Sequence, residues 1–141
     1  VAVRQMDTFN TTKLAILYVE DDELTRRSVT NRLQRRGFEV LSAESGERAL
    51  EIVKERAVLA GVLMDIDLPG MDGLETYVCL QETFAGLPLV ICSGAISPVV
   101  SARIERMGIP KECCLCKPCP FGNILAAIDK VTSTQSSIPG R

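Results

Sequence analysis

The chain of 141 residues is long enough for one domain with a continuous core, and its 46% apolar and 24% charged residues are typical of a globular protein. A formal net charge of −2 argues against a nucleic-acid-binding surface. Because no apolar run approaches the roughly 20 residues that span a bilayer, we expect a cytoplasmic protein without membrane contact. The absence of histidine excludes Ser-His-Asp and Cys-His catalysis and any metal site with imidazole ligands.

Apolar runs alternate along the chain with segments of helical periodicity. The sequence predicts strands over 14–19, 39–43, 59–64, 87–92 and 113–116, followed in turn by helices over 23–36, 46–56, 74–84, 98–107 and 121–131. Residues 1–12 lack periodicity and are predicted to be a flexible N-terminal leader. Residues 132–141 are predicted to be a flexible C-terminal tail or linker stub. We therefore expect one domain over residues 13–131.

Strict alternation of strands and helices predicts an α/β protein with a parallel sheet and helices on both faces. In such sheets, ligands bind beyond the carboxyl ends of the strands. Polar side chains follow four of the five predicted strands at that edge: Glu20, Asp21 and Asp22 after the first, Asp65 and Asp67 after the third, Ser93 after the fourth, and Lys117 after the fifth. The sequence thus places several carboxylates, one hydroxyl and one ammonium at a single edge.

This set of polar side chains is suited to phosphoryl transfer. Neighbouring carboxylates repel each other unless a cation lies between them, and a set of oxygen ligands favours Mg²⁺. A carboxylate in such a group can attack phosphorus and form an acyl phosphate, a reaction that needs mainly positioning and charge neutralisation. Lys117 is placed to neutralise charge opposite the metal, and Ser93 to donate a hydrogen bond to a phosphoryl oxygen. An alternative role for the first acidic run is helix capping, which suits Asp22.

Four sequence strings carry a resemblance to a known family. ILYVEDDE, LMDIDLPGMDG, VICSGA and LCKP occur in this order, beginning at residues 16, 63, 90 and 115. Together they resemble the receiver domain of two-component response regulators, including the chemotaxis response regulators, over residues 13–131. The resemblance implies a flavodoxin-like fold, in which a five-stranded parallel sheet of order 2-1-3-4-5 has five helices on its two faces.

The resemblance also implies a role for each carboxylate at the sheet edge. Asp65 would be the phosphoacceptor and one of the metal ligands. Glu20 and Asp21 would be the acidic pair, with Asp21 binding Mg²⁺ directly and Glu20 acting through water. The backbone carbonyl of Asp67 would be a further ligand. Ser93 and Lys117 would complete the catalytic set by contacting the phosphoryl group.

The family is a signalling domain rather than a turnover enzyme, since it promotes only its own phosphorylation and dephosphorylation. The resemblance implies a phosphorelay in which a sensor histidine kinase or a phosphotransfer protein donates the phosphoryl group. It further implies an output domain or protein downstream, and a possible homodimer through the face of helix 4, strand 5 and helix 5. No direct nucleic-acid contact is expected.

The chain departs from the family pattern at three positions. Asp67 places a carboxylate where the family commonly has a neutral side chain. Cys114 stands where the family usually has the Tyr or Phe that reports phosphorylation, and Cys119 stands where it prefers Phe after the Lys-Pro pair. Cys114 favours an alternative, a pseudo-receiver that acts as an interaction module without phosphate. A second alternative is a haloacid-dehalogenase-like phosphatase, although its nucleophile normally follows the first strand rather than the third.

Six cysteines include a cluster at Cys113, Cys114, Cys116 and Cys119. One interpretation is a zinc site, an iron–sulfur site or a redox switch. The other is that small, soft side chains fill a buried strand. Successive side chains of a strand point to opposite faces, so the four thiols are not expected to converge on one metal.

Overall fold

The computed structural model describes residues 13–137, and of residues 134–137 the backbone alone. Its elements are, in chain order, β1 (Ala15–Val19), α1 (Glu23–Arg35), β2 (Glu39–Ala43), α2 (Gly46–Ile52), β3 (Gly61–Met64), α3 (Gly73–Thr83), β4 (Leu89–Ser93), α4 (Pro98–Arg106), β5 (Cys114–Cys116) and α5 (Phe121–Ser137). The sheet is parallel throughout and has the order β2-β1-β3-β4-β5. The predicted fold class and strand order are confirmed.

Two apolar layers enclose the sheet. One face packs against α2, α3 and α4 through residues such as Leu17, Leu74 and Ile104. The opposite face packs against α1 and α5 through residues such as Tyr18 and Ile128. Because the central strands are buried on both faces, their sequences are apolar runs rather than alternating patterns, and their polar residues stand at the strand ends or just beyond them.

Capping side chains begin the helices that leave the carboxyl edge of the sheet. The Asp22 carboxylate accepts from the backbone N–H of Thr25 at the start of α1, as expected from its position in the sequence. At the start of α3, Asp72 and Glu75 form a capping box. These caps fix the loops that carry the polar side chains at this edge.

Several element ends differ from the predictions, most of them by one or two residues. Helix α2 ends at Ile52 rather than at 56, since the following residues form tight turns in which the Arg56 N–H reaches the Val53 carbonyl. Cys113 belongs to a 3₁₀ turn that precedes β5. Helix α5 continues to Ser137, into the predicted tail, where the buried Thr132 hydroxyl donates to the Ile128 carbonyl.

The predicted leader over 1–12 lies outside the described residues, as does the end of the tail beyond residue 137. The domain boundaries therefore stay a prediction. Within the described part of the chain, no helix is both long and apolar enough to cross a membrane.

Candidate functional site

The ends of β1, β3, β4 and β5 bring four polar side chains together at the carboxyl edge of the sheet. Asp65 directly follows β3, and its N–H donates to the Val19 carbonyl across the sheet at 3.1 Å. Lys117 directly follows β5, and its N–H donates to the Ser93 carbonyl at 2.8 Å. The backbone ladder thus fixes the starting point of each side chain, as the parallel topology predicts.

Three donors converge on the Asp65 carboxylate. The Lys117 ammonium donates to Oδ2 at 3.0 Å, and the Ser93 hydroxyl donates to Oδ1 at 3.0 Å. The backbone N–H of Asp67 also donates to Oδ1, at 3.1 Å. Lys117 donates a second bond to Glu20 Oε1 at 2.7 Å. One ammonium therefore joins two carboxylates, and both oxygens of Asp65 accept hydrogen bonds.

The two carboxylates that Lys117 bridges are buried, with 2% and 5% of the Glu20 and Asp65 side chains exposed. Burial raises the pKa of Glu20, and its bonds from Lys117 and from the Asp22 N–H oppose that rise. Burial lowers the pKa of Lys117, but its bonds to Glu20 and Asp65 outweigh burial and hold that pKa above the ordinary value. Lys117 is therefore a fixed positive charge at neutral pH.

Carboxylate oxygens of Glu20, Asp21 and Asp65 lie within 4.8 Å of one another. This is the one such group of three or more potential ligands among the described residues. Its donors are all oxygen, and three carboxylates against one ammonium leave an excess of negative charge that a divalent cation would balance. Both properties fit Mg²⁺. Asp67 has an exposed side chain outside this group, and the metal role of its carbonyl remains a prediction.

Two supporting residues at the site were not predicted from the sequence. Arg26 on α1 donates to the Glu20 carbonyl at 2.8 Å, which holds the end of β1 against the helix. Gly73, the first residue of α3, lies so close to the end of β3 that an added Cβ would stand 2.3 Å from the Asp65 carbonyl oxygen. A glycine three residues after the turn-forming Pro69-Gly70 pair was the only available signal, and it does not reveal this packing.

The cysteines do not form a metal centre in the described part of the chain, where no three of them provide a convergent ligand set. All six thiols are free. Cys113 and Cys114 are at least partly buried, and the Cys114 sulfur contacts the Pro110 carbonyl oxygen at 3.7 Å. Of the cluster, Cys113 alone is buried, whereas Cys114 and Cys119 are half-buried and Cys116 is exposed. The expected buried strand is therefore not found, since β5 is only partly buried.

Comparison with known proteins gives a consistent result. The family model of the response regulator receiver domain matches residues 16–129. The response regulator MprA of Mycobacterium sp. (strain KMS) is 32% identical over 111 residues, which are 79% of this chain and 47% of that protein. A cyclic di-GMP phosphodiesterase of Thermotoga maritima is 42% identical over 62 residues, which are 44% of this chain and 16% of that protein. The chain thus spans less than half the length of these two relatives.

Among solved structures, a CheY-like receiver domain protein from Methanospirillum hungatei JF-1 superposes with a TM-score of 0.80 at 25% identity, over 89% of this chain and 98% of that one. The family match covers most of the chain, and the acidic group at Glu20, Asp21 and Asp65 fits the phosphoacceptor site of that family. The chain belongs to the receiver domains of response regulators.

Proposed function

We propose that Asp65 is the residue that accepts the phosphoryl group, from the phosphohistidine of a sensor histidine kinase or a phosphotransfer protein. The observation that carries this proposal is the set of three donors on a buried carboxylate. An aspartate at the end of a buried strand, held by an ammonium, a hydroxyl and a backbone N–H, is oriented and charge-balanced. Those properties are what phosphoryl transfer demands of a carboxylate nucleophile.

In this reaction a carboxylate oxygen of Asp65 forms a bond to phosphorus while the bond between phosphorus and the donor nitrogen breaks. The donor imidazole keeps the electron pair of that bond. Once an Asp65 oxygen carries the phosphoryl group as an acyl phosphate, Lys117 and Ser93 would donate to the new phosphoryl oxygens. Asp65, Glu20, Asp21 and the Asp67 carbonyl would hold Mg²⁺, which supplies positive charge to the phosphoryl oxygens.

The domain would serve as a signalling switch in a cytoplasmic phosphorelay, without turnover of a substrate. Phosphorylation would change the surface of α4, β5 and α5, and an output domain or protein, or a second copy of the chain, would bind that surface. Because the relatives are longer than this chain, the activity and partners of the complete protein are proposals as well.

The test is incubation with Mg²⁺ and acetyl phosphate or phosphoramidate, followed by intact-mass measurement. We expect one phosphoryl adduct on the wild type, none on Asp65→Asn, and none when Mg²⁺ is chelated. Asp67→Asn is the matched control, because it removes a nearby carboxylate whose side chain is exposed and lies outside the acidic group. An equal adduct on Asp65→Asn would refute the proposal.

A second candidate function rests on Cys114. A phosphorylation-independent interaction module would need no aromatic side chain at this position. In that case the wild type would take no phosphoryl group from either donor, although Mg²⁺ would still stabilise the folded chain. The same mass measurement, combined with thermal unfolding in Mg²⁺ and in chelator, separates the two functions.

A further inference from the structure

A cavity of about 460 Å³ lies beside the acidic group, on the face of the sheet that α1 and α5 cover. Its wall includes Glu20, Asp65 and Lys117 together with apolar side chains. Two of the six cysteines, Cys92 and Cys119, also line it. The cavity is open to solvent, so a small reagent can reach both the wall and the neighbourhood of the acidic group.

The two thiols come from different elements and meet at this wall. Cys92 is on β4, immediately before Ser93, and Cys119 follows Lys117 by two residues in the loop that leads to α5. The two thiols are close enough for each to shift the pKa of the other. Both pack into the apolar layer under α5. The proximity of Cys92 and Cys119 therefore arises from the fold, because Cys92 lies outside the sequence cluster to which Cys119 belongs.

We propose that Cys92 and Cys119 form a reversible disulfide bond under oxidation by hydrogen peroxide, and that this bond slows phosphoryl acceptance at Asp65. Cys119 is partly exposed and reacts first, whereas Cys92 is buried and only 9% exposed. The second half of the proposal rests on the proposed function of Asp65, and the first half does not.

The chemistry takes two steps. The Cys119 thiolate attacks one peroxide oxygen, the O–O bond breaks, and a sulfenic acid and hydroxide result. The Cys92 thiolate then attacks the sulfenic sulfur, the S–S bond forms, and the S–O bond breaks with loss of a second hydroxide. The two thiol protons convert both hydroxides to water. The thiol pair loses two electrons, the peroxide gains two, and a dithiol such as dithiothreitol reverses the change.

The local electrostatics determine how fast the pair responds. Burial raises the pKa of Cys92 to about 12 and also raises the pKa of Cys119, although the neighbouring Cys92 thiol partly opposes the second shift. Thiolate fractions at neutral pH are therefore small, and oxidation is slow. The pair would respond to sustained peroxide rather than to a brief pulse.

A bond between these sulfurs would connect the two segments that carry the donors to Asp65. Ser93 is adjacent to one thiol, and Lys117 lies two residues from the other. Both donors have to shift from the carboxylate to the phosphoryl oxygens as the acyl phosphate forms. Because a misplacement of about 1 Å in such a site can cost up to about a hundredfold in rate, we expect oxidation to slow phosphoryl acceptance by about tenfold.

The first experiment maps the disulfide in the folded chain. After prolonged treatment with hydrogen peroxide, alkylation at acid pH, digestion and peptide mass measurement, we expect a Cys92–Cys119 link. The free-thiol count should fall by two from the six of the reduced chain. Cys119→Ser should abolish the link. Cys116→Ser, which removes an exposed thiol of the same segment, should retain it. A different pairing, or a dimer linked through Cys116, would overturn the proposal.

The second experiment compares the rate of adduct formation with phosphoramidate and Mg²⁺ for reduced, oxidised and re-reduced protein. We expect the rate to fall about tenfold on oxidation and to recover with dithiothreitol, whereas Cys119→Ser should keep one rate throughout. Equal rates for a chain with the mapped disulfide would refute its effect on Asp65. If the reduced wild type takes no phosphoryl group, the proposed function fails, while the mapped disulfide stands on the first experiment.

Discussion

Replacement of Lys117 by methionine gives a sharp test of the bridge between the two buried carboxylates. Methionine keeps most of the apolar stem of lysine and removes the ammonium that donates at 2.7 Å to Glu20 and at 3.0 Å to Asp65. The variant therefore has two buried carboxylates, at 2% and 5% exposure, without their shared cation. The expected result is a lower free energy of unfolding in metal-free buffer at neutral pH.

The magnitude follows from the two bonds that are lost. A hydrogen bond to a charged group contributes about 1.5–3 kcal/mol, and removing one partner of a buried ion pair costs about 3–5 kcal/mol. The Lys117 side chain is 30% exposed, so water replaces part of the lost interaction. We therefore expect a loss of about 2–4 kcal/mol by urea denaturation, with an unchanged dependence on urea concentration.

The loss should depend on pH and on Mg²⁺. Burial already raises the pKa of Glu20, and without Lys117 that pKa rises further. A carboxyl group whose pKa is higher in the folded state favours folding when protonated, so the deficit of the variant should shrink as the pH falls from 7 toward 4. In the wild type, the pKa of Lys117 is raised above its ordinary value of 10.5. The contribution of Lys117 to folding stability is therefore fully present until the pH rises past 10.5. Mg²⁺ should also reduce the deficit, because it binds carboxylates freed of their ammonium.

Arg56→Met is the matched control, since it also removes a cation that donates two bonds, here at 2.9 Å each to Glu39. These side chains are 33% and 42% exposed, and such surface pairs contribute about 0.2–1 kcal/mol. If Lys117→Met costs no more than this control at neutral pH without metal, the ammonium does not stabilise the buried carboxylates, and the reasoning is wrong.

Three further predictions concern the surroundings of the site. Gly73→Ala should destabilise the fold by about 1–3 kcal/mol and slow phosphoryl acceptance, because the added Cβ would collide with the Asp65 carbonyl. The control Gly94→Ala should change the free energy of unfolding little, because the space around Gly94 is open. Asp21→Asn should lower the apparent affinity for Mg²⁺ by about tenfold or more, because it removes one carboxylate of the acidic group. The affinity is measured from thermal unfolding across a Mg²⁺ titration. Glu39→Gln should lower stability slightly at neutral pH, since the bonds from Arg56 lower the pKa of Glu39 from its ordinary value of 4.5. This deficit should shrink as the pH falls below 4.5 and Glu39 is protonated.

Much of the fold was predictable because apolar runs and helical periodicity report burial directly. The run before Glu20 predicted β1 to within one residue, and strict alternation predicted a parallel sheet, whereas the strand order came from the family resemblance. Helix ends without Gly or Pro were less predictable. Helix α2 ends at Ile52 through backbone turns that leave no mark in composition, and α5 passes Val131 because Thr132 packs inward.

The site was predictable as a set, since the ends of parallel strands meet at one edge and each carries its polar residue in a fixed position. Which of these side chains form hydrogen bonds with one another was not predictable. Nothing in the sequence specifies that Lys117 reaches both Glu20 and Asp65, because a flexible four-carbon stem can satisfy several partners. That Cys92 and Cys119 line one cavity depends on the path of the loop after β5, which sequence periodicity does not describe.

The placement of Asp65, Ser93 and Lys117 at the carboxyl ends of the strands has a consequence for how such domains diversify. The two core layers consist of apolar side chains that pack against the sheet. The side chains that donate hydrogen bonds to Asp65 are those of Ser93 and Lys117, and among the described residues the outward faces of α4 and α5 donate none. Substitutions on those outward faces can therefore alter recognition while leaving the reaction intact. Grafting the exposed residues of α4 and α5 from another member of the family onto this chain would retarget the switch without any change to its chemistry.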